Sequence, residues 1–218
     1  MKIISEEKLF FAATVSNILL FVGETIAFVS AIKETGAFIF VRLCGIGNLL
    51  LFFSAFFALL SVYYNVRKGC GTNPYSHALR YVATCVSTVT FVVFLLLLLP
   101  HEKDPGSLLT SVSDWLFYIV CPLLSLLSFL FFEKEESRNL NYFYVPVGVA
   151  LVFVYGVVML ALNFAGVYSG PYYFLRVNEQ PTRTVTLTLF GIALGSAITS
   201  FLLCLGNKKI FFRGVIHG

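Results

Sequence analysis

The chain has 218 residues, of which 58% are hydrophobic, 17% are aromatic and only 12% are charged. In soluble globular proteins about a quarter of the residues are charged, so this composition excludes an ordinary soluble domain with a wetted surface. The formal net charge is +4. The distribution of basic residues between apolar segments explains that charge, and no nucleic-acid partner is expected.

Six stretches of the sequence are continuously apolar and long enough to cross a bilayer. A hydrocarbon core of about 30 Å needs roughly 20 residues of helix, because lipid offers no water to backbone amides. Continuous apolar runs also differ from the short alternating segments of a membrane β-barrel. The sequence therefore predicts an all-α, polytopic integral membrane protein with a single domain over residues 1–218. In chain order, the predicted transmembrane helices are Leu9–Ile32, Phe38–Tyr63, Leu79–Pro100, Leu108–Phe132, Tyr142–Ala165 and Thr184–Leu205.

Basic residues between these helices predict their orientation, because cytoplasmic loops of membrane proteins carry an excess of Lys and Arg. One side holds nine basic residues and the other side holds four. The nine are Lys2, Lys8, Arg67, Lys68, Lys134, Arg138, Lys208, Lys209 and Arg213, and the four are Lys33, Lys103, Arg176 and Arg183. Both termini are therefore expected in the cytoplasm. For so short a chain, we expect a multi-pass protein of a bacterial plasma membrane.

Ionisable residues inside apolar helices are the strongest functional signal here, because an unpaired charge at bilayer depth is costly. Glu24, Arg42 and Asp114 fall in the outer thirds of three predicted helices, at similar heights judged from helical rise. We expect them to form one buried cluster. That cluster either fastens the three helices together, or lines an outward-opening cavity in which Arg42 binds a carboxylate or phosphate.

Other polar residues extend the list of candidate ligand contacts. Asn48 lies one turn from Cys44, and an amide at mid-membrane depth needs several hydrogen bonds. Tyr172 and Arg176 belong to an aromatic-rich outer connection that either anchors the helices at the interface or covers an outward cavity. His101, in an outer loop, is either simply solvated or a candidate for proton transfer near neutral pH.

The remaining motifs concern partners and cofactors. Gly191 and Gly195 form a GxxxG motif, which lets another helix approach closely, either within the chain or across a homodimer. The five cysteines include no CxxC and no Cys/His spacing typical of metal sites. We therefore expect no metal and no cofactor, with membrane lipid as the partner.

Four segments carry a resemblance to a known family, and they are Arg42–Leu51, Leu79–Phe91, Trp115–Ser125 and Gly170–Leu175. In this order the chain resembles the androgen-induced transmembrane hydrolase superfamily, including its short bacterial six-helix relatives. For the animal members, the resemblance implies a threonine nucleophile on the second helix and a histidine on the fourth. These residues cleave lipid esters within the membrane.

Carried over by position, the threonine corresponds to Cys44 and the histidine to Tyr118, which we also expect to contact a ligand. Another histidine frequent in the family, near the end of the third helix, is replaced around Leu95. Acyl transfer by a thiol needs a base within hydrogen-bond reach, for which only His101 and Asp114 are candidates. Three functions stay open: binding of a lipid or amphiphile in an outward pocket, lipid-ester hydrolysis or acyl transfer, and a role as a small transporter or membrane-complex subunit.

Overall fold

The computed structural model describes residues 6–41, 43–68, 74–101, 108–133, 144–167 and 172–215. These ranges are mostly helical and contain no β-strand. A π-helical segment, Phe94–Leu98, continues the third helix, and a second, Leu116–Val120, joins the fourth to the fifth as one rod. The α-helices are α1 Glu6–Thr35, α2 Leu43–Lys68, α3 Pro74–Val93, α4 Val112–Trp115, α5 Cys121–Phe131, α6 Tyr144–Phe164 and α7 Thr182–Val215.

Six helical rods in the described ranges are long and apolar enough to cross a membrane, which confirms the predicted number and the all-α class. The outward-facing side chains of these rods are themselves large and apolar. Phe11 on α1 and Phe190 on α7 are 70% and 68% exposed. Such a surface is suited to acyl chains and not to water, so the structure supports a multi-pass membrane protein. The side on which the termini lie stays a prediction.

The second helix begins later than its apolar sequence predicts. A 3₁₀ segment, Gly36–Val41, precedes α2, and the positive φ of Gly36 (63°) ends α1. The carbonyl of Ile39 packs so closely on Gly45 that a Cβ there would collide with it. Apolarity alone does not distinguish this tight turn from a further turn of α-helix, which explains why the predicted start at Phe38 is wrong.

The third helix lies at the centre of the bundle. Every residue from Arg80 to Thr90 is buried, and α3 packs against α2, α5, α6 and α7. Small residues let its neighbours approach: a Cβ at Gly148 of α6 would lie 2.9 Å from the sulfur of Cys85. A core of this kind is set by close packing, since apolar side chains gain no hydrophobic advantage from leaving lipid.

Hydrogen bonds between α3 and its neighbours fix their register. The Tyr81 hydroxyl donates to the Ser200 carbonyl oxygen at 2.7 Å, and the Ser200 hydroxyl donates to the Val145 carbonyl at 3.0 Å. One turn further along α3, the hydroxyls of Thr84 and Ser125 lie 2.7 Å apart. These bonds link α3 to α5 and α7, and α7 to α6, at fixed positions, as polar side chains do inside membrane bundles.

Candidate functional site

The two π-helical segments lie against each other. The rings of Phe94 and Tyr118, one from each segment, stack with centroids 4.7 Å apart. Each segment ends with a hydrogen bond to the residue five positions back, from Leu99 N–H to the Phe94 carbonyl and from Cys121 N–H to the Leu116 carbonyl. Short π-helical segments are rare and are frequently found at functional sites. The candidate functional site therefore lies at this pair of π segments.

The local sequence leaves the carbonyl of Phe117 without a helical partner. In an α-helix the Phe117 carbonyl would accept the N–H of Cys121, but in the π segment that N–H bonds to the Leu116 carbonyl. The residue five positions after Phe117 is Pro122, which has no N–H to donate. The side-chain amide of Asn48 takes this place, donating to the Phe117 carbonyl at 3.1 Å and to the Cys44 carbonyl at 2.7 Å. Asn48 is 1% exposed, and its Oδ1 has no hydrogen-bond partner among the described residues. The Asn48 amide therefore links α2 to the π segment Leu116–Val120, and its Oδ1 is a buried acceptor without a described donor.

Residues that the sequence placed on three separate elements meet beside this amide. The Cys44 thiol donates to the Tyr118 hydroxyl at 3.4 Å. Tyr172 is buried next to them, where its hydroxyl faces the backbone of Cys44 and lies near Tyr118 and Tyr155. Burial raises the pKa of Tyr172 well above its ordinary value, so this phenol stays neutral. We call Cys44, Asn48, Tyr118, Tyr155 and Tyr172 the tyrosine–cysteine cluster.

The connection that carries Tyr172 folds into the bundle. Phe174 and Leu175 in its 3₁₀ turn are each only 3% exposed. The Tyr173 hydroxyl donates to the carbonyl of Leu97 at 3.2 Å, so a side chain of this connection also bonds to the π segment Phe94–Leu98. At the end of α6, Asn163 Oδ1 accepts a backbone N–H of the same connection at 3.0 Å. These contacts hold Tyr172 in place over the end of the bundle. We call this connection, residues 172–181, the cover.

Two predicted site residues lie outside the tyrosine–cysteine cluster: Arg176 belongs to the cover, and His101, at the end of the third membrane rod, packs against it. His101 is exposed, and its ring stacks on Tyr173 with centroids 3.5 Å apart. Arg176 forms a partly exposed ion pair with Glu179 at 3.1 Å. Neither arrangement directs the side chain at the Cys44 thiol, whose hydrogen bond runs to a tyrosine hydroxyl. Within the described ranges, no three His, Cys, Asp or Glu side chains are placed to hold a metal ion.

Asp114 begins a helix and does not join a buried cluster. Its carboxylate accepts the Ser111 N–H at 3.2 Å, while the Ser111 hydroxyl accepts the Asp114 N–H at 3.2 Å. This reciprocal pair is a capping box, which satisfies two backbone donors at the start of a helix. The fourth membrane rod thus starts at Val112 and not at Leu108, because Ser111 and Asp114 define its N-terminus.

Glu24 lies at a different height. Ser113, next to Asp114, donates to Glu34 Oε2 at 3.2 Å near the end of α1. Glu24 precedes Glu34 by ten positions, which is roughly 15 Å of α-helix. The prediction that Glu24 and Asp114 share one level is therefore wrong. Arg42, the third member of the predicted cluster, lies outside the described residues.

An apolar cavity of about 250 Å³ adjoins the tyrosine–cysteine cluster. It lies between α6, α7, the end of α3 and the 3₁₀ turn of the cover, and Tyr155 and Tyr172 form part of its wall. Almost all of its remaining lining is apolar, including Val93, Val152, Leu189 and Ile192. Exposed lining residues such as Phe190 place its mouth on the side of the bundle, toward the surface that is suited to lipid.

No family model, no curated protein and no solved structure matches this chain. The resemblance to the transmembrane hydrolase superfamily therefore stays a prediction. The observations that define the class of protein are the six apolar helices and the cavity that opens to the side of the bundle.

Proposed function

We propose that this membrane protein binds the apolar chain of a lipid or amphiphile in the cavity between α6 and α7. The polar end of the ligand lies at the tyrosine–cysteine cluster. The observation that carries the proposal is an apolar cavity with two buried tyrosines, Tyr155 and Tyr172, in its wall. Ligand pockets typically combine such apolar walls with a few polar groups that orient the ligand.

The size of the cavity favours a single chain. Its volume of about 250 Å³ lies just below the range of about 300–1,000 Å³ that is typical of small-molecule pockets. A whole phospholipid with two acyl chains does not fit such a space. A single alkyl or isoprenoid chain that enters the cavity end first matches its size and shape.

The position of the mouth favours entry from the bilayer. Phe153, Val157 and Phe190 line the cavity and are largely exposed on the sides of α6 and α7. In a membrane these side chains contact acyl chains, so an amphiphile reaches the cavity without crossing water. The outward pocket around Arg42 that the sequence suggested stays a prediction, because Arg42 lies outside the described residues.

Neutral hydroxyls favour an uncharged polar end. Burial keeps Tyr172 protonated, and a neutral phenol both donates and accepts hydrogen bonds. Hydroxyl, ester and amide groups match these partners. A fully charged head group at the same place would lose its hydration without gaining an opposite charge from the cluster.

The test uses the purified protein and native mass spectrometry with lipid analysis. We expect wild type to retain an apolar-chain lipid, and Ala193→Phe, which fills the cavity from α7, to lower that retention at least about tenfold. Leu194→Phe is the matched control, because Leu194 is exposed on the same helix and does not line the cavity. Equal retention by Ala193→Phe and wild type would contradict the proposal.

Lipid-ester hydrolysis or acyl transfer is the second candidate, because Cys44 lies in the tyrosine–cysteine cluster beside the cavity. A nucleophilic thiol needs a base, and its described hydrogen-bond partner is the Tyr118 hydroxyl. An acyl-directed activity probe tests this candidate. It predicts covalent labelling that Cys44→Ala abolishes, whereas labelling that survives the substitution would remove Cys44 from the chemistry.

A further inference from the structure

A buried carboxyl group lies elsewhere in the bundle and has no part in the proposed lipid site. Glu24 of α1 is 0% exposed, in a region where α1 packs against α5. The Cys121 thiol faces its carboxyl group, and a Cβ at Gly23 would lie 3.3 Å from the same sulfur. Neither carboxylate oxygen of Glu24 makes a well-formed hydrogen bond with a described residue. An ionised carboxylate is not stable in such surroundings unless a cation approaches it or a proton binds.

Among the described cations, the one whose charge acts on Glu24 is the guanidinium of Arg80 on α3, which is 1% exposed. It is already committed elsewhere: Nε bonds to Glu133 Oε1 at 3.0 Å, and Nη1 donates to Ser54 Oγ at 3.3 Å. Its third nitrogen, Nη2, has no hydrogen-bond partner among the described residues. The charge of Arg80 therefore acts on the carboxyl groups of both Glu133 and Glu24, but Arg80 is bonded only to Glu133.

Within the part of the chain that the structure describes, the other neighbours of Glu24 add no second cation. On α5 the titratable group that faces it is Cys121, and the apolar cluster one turn away contains Leu20, Leu51 and Ala55. Asn17, on the same face of α1, has a buried Oδ1 without a described partner. A metal ion needs several ligand groups, and among the described residues no three His, Cys, Asp or Glu side chains are placed to hold one, so a proton is the ligand that fits Glu24.

We propose that Glu24 is a proton-exchange site controlled by Arg80. The carboxyl group holds its proton while Arg80 pairs with Glu133. When the guanidinium turns through Nη2 toward Glu24, the O–H bond breaks, the electron pair stays on the carboxylate, and the proton passes to water. Glu133 is the partner nearer to solvent, with 10% of its side chain exposed, so it marks the side from which water enters.

This site gives the chain a means to couple one proton to a change in ion pairing between α1, α3 and the end of α5. It does not depend on the cavity between α6 and α7. Loss of one function is therefore distinguishable from loss of the other, because the two sites share no residue.

Infrared difference spectroscopy of the full-length protein in lipid tests the proposal. We expect wild type to show the carbonyl band of a protonated carboxylic acid, and this band to decrease as pH is raised from about 5 to about 9. Glu24→Gln, which preserves the size of the side chain, should remove the band completely. Glu7→Gln is the control, because Glu7 is exposed at the start of the same helix.

A second variant tests the role of Arg80. Glu133→Gln releases the guanidinium, so at one alkaline pH about tenfold less of the Glu24 band should remain than in wild type. A band that is absent at every pH, or constant over the whole range, would overturn proton exchange at Glu24. A titrating band that Glu133→Gln leaves unchanged would overturn control by Arg80.

Discussion

Tyr155 of α6 and Tyr172 of the cover meet edge to face, with ring centroids 6.4 Å apart and planes inclined at 76°. Both residues line the apolar cavity, and Tyr172 also reaches the backbone of Cys44. The pair thus connects the lateral cavity with the tyrosine–cysteine cluster between the π segments. This contact is the structural basis for placing the polar end of a ligand there.

Asn48→Leu should destabilise the protein by about 1–3 kcal/mol, because the carbonyl of Phe117 then has no hydrogen-bond donor in a buried position. Equilibrium unfolding in mixed micelles measures the effect. Thr14→Val is the control, since the exposed Thr14 hydroxyl bonds only within its own helix. Its effect should stay within about 0.5 kcal/mol. An Asn48→Leu protein as stable as this control would show that the bond across α2 and the π segment contributes little.

Stability should fall at high pH, in part through Tyr172. Its pKa is raised in the folded protein, whereas an unfolded tyrosine titrates near about pH 10. The unfolded state therefore loses this proton first, and the free energy of unfolding decreases as pH rises above about 10. Below that pH the contribution is constant. Comparison of unfolding curves for wild type and Tyr172→Phe isolates the effect, and parallel pH profiles for the two proteins would contradict it.

The homodimer prediction gains a specific test from α7. A Cβ added at Gly191 or at Gly195 would meet no described atom within 4 Å, so no described helix of the same chain uses the motif. Small residues of this kind permit close packing of a second copy. We expect energy transfer between labelled copies in liposomes, and Gly195→Ile should abolish it. Ala197→Ile on the same helix serves as a comparison. Undiminished transfer in Gly195→Ile would exclude this face as the interface.

The number and class of the helices follow directly from the sequence, because only continuous helices satisfy their backbone groups in lipid. Their ends are less predictable. Gly36–Val41 and Leu43 belong to one apolar run, and the change from 3₁₀ to α-helix between them depends on contact between the Ile39 carbonyl and Gly45. Hydropathy does not report such a contact.

The candidate site was only partly predictable for a similar reason. The sequence singled out Cys44 and Tyr118 by their positions in the resemblance, and Tyr172 as an aromatic residue of an outer connection. Nothing in the sequence showed that these three residues meet. Tyr155 gave no signal, since it is one aromatic residue within a continuously apolar helix. The burial of Glu24 was predictable from its place in an apolar helix. The influence of Arg80 on it was not, because the position of Arg80, which pairs with Glu133, depends on how α3 packs against the end of α5.

The most direct test of the lipid site is photolabelling of the protein in liposomes with a long-chain fatty alcohol that carries a diazirine next to its hydroxyl group. Peptide mass spectrometry then identifies the labelled residues. We predict labelling concentrated on Tyr155, Tyr172 and the adjoining cavity wall, with strong reduction in Ala193→Phe. Labelling spread evenly over exposed positions such as Phe11 of α1, and unchanged by Ala193→Phe, would contradict a lipid site in this cavity.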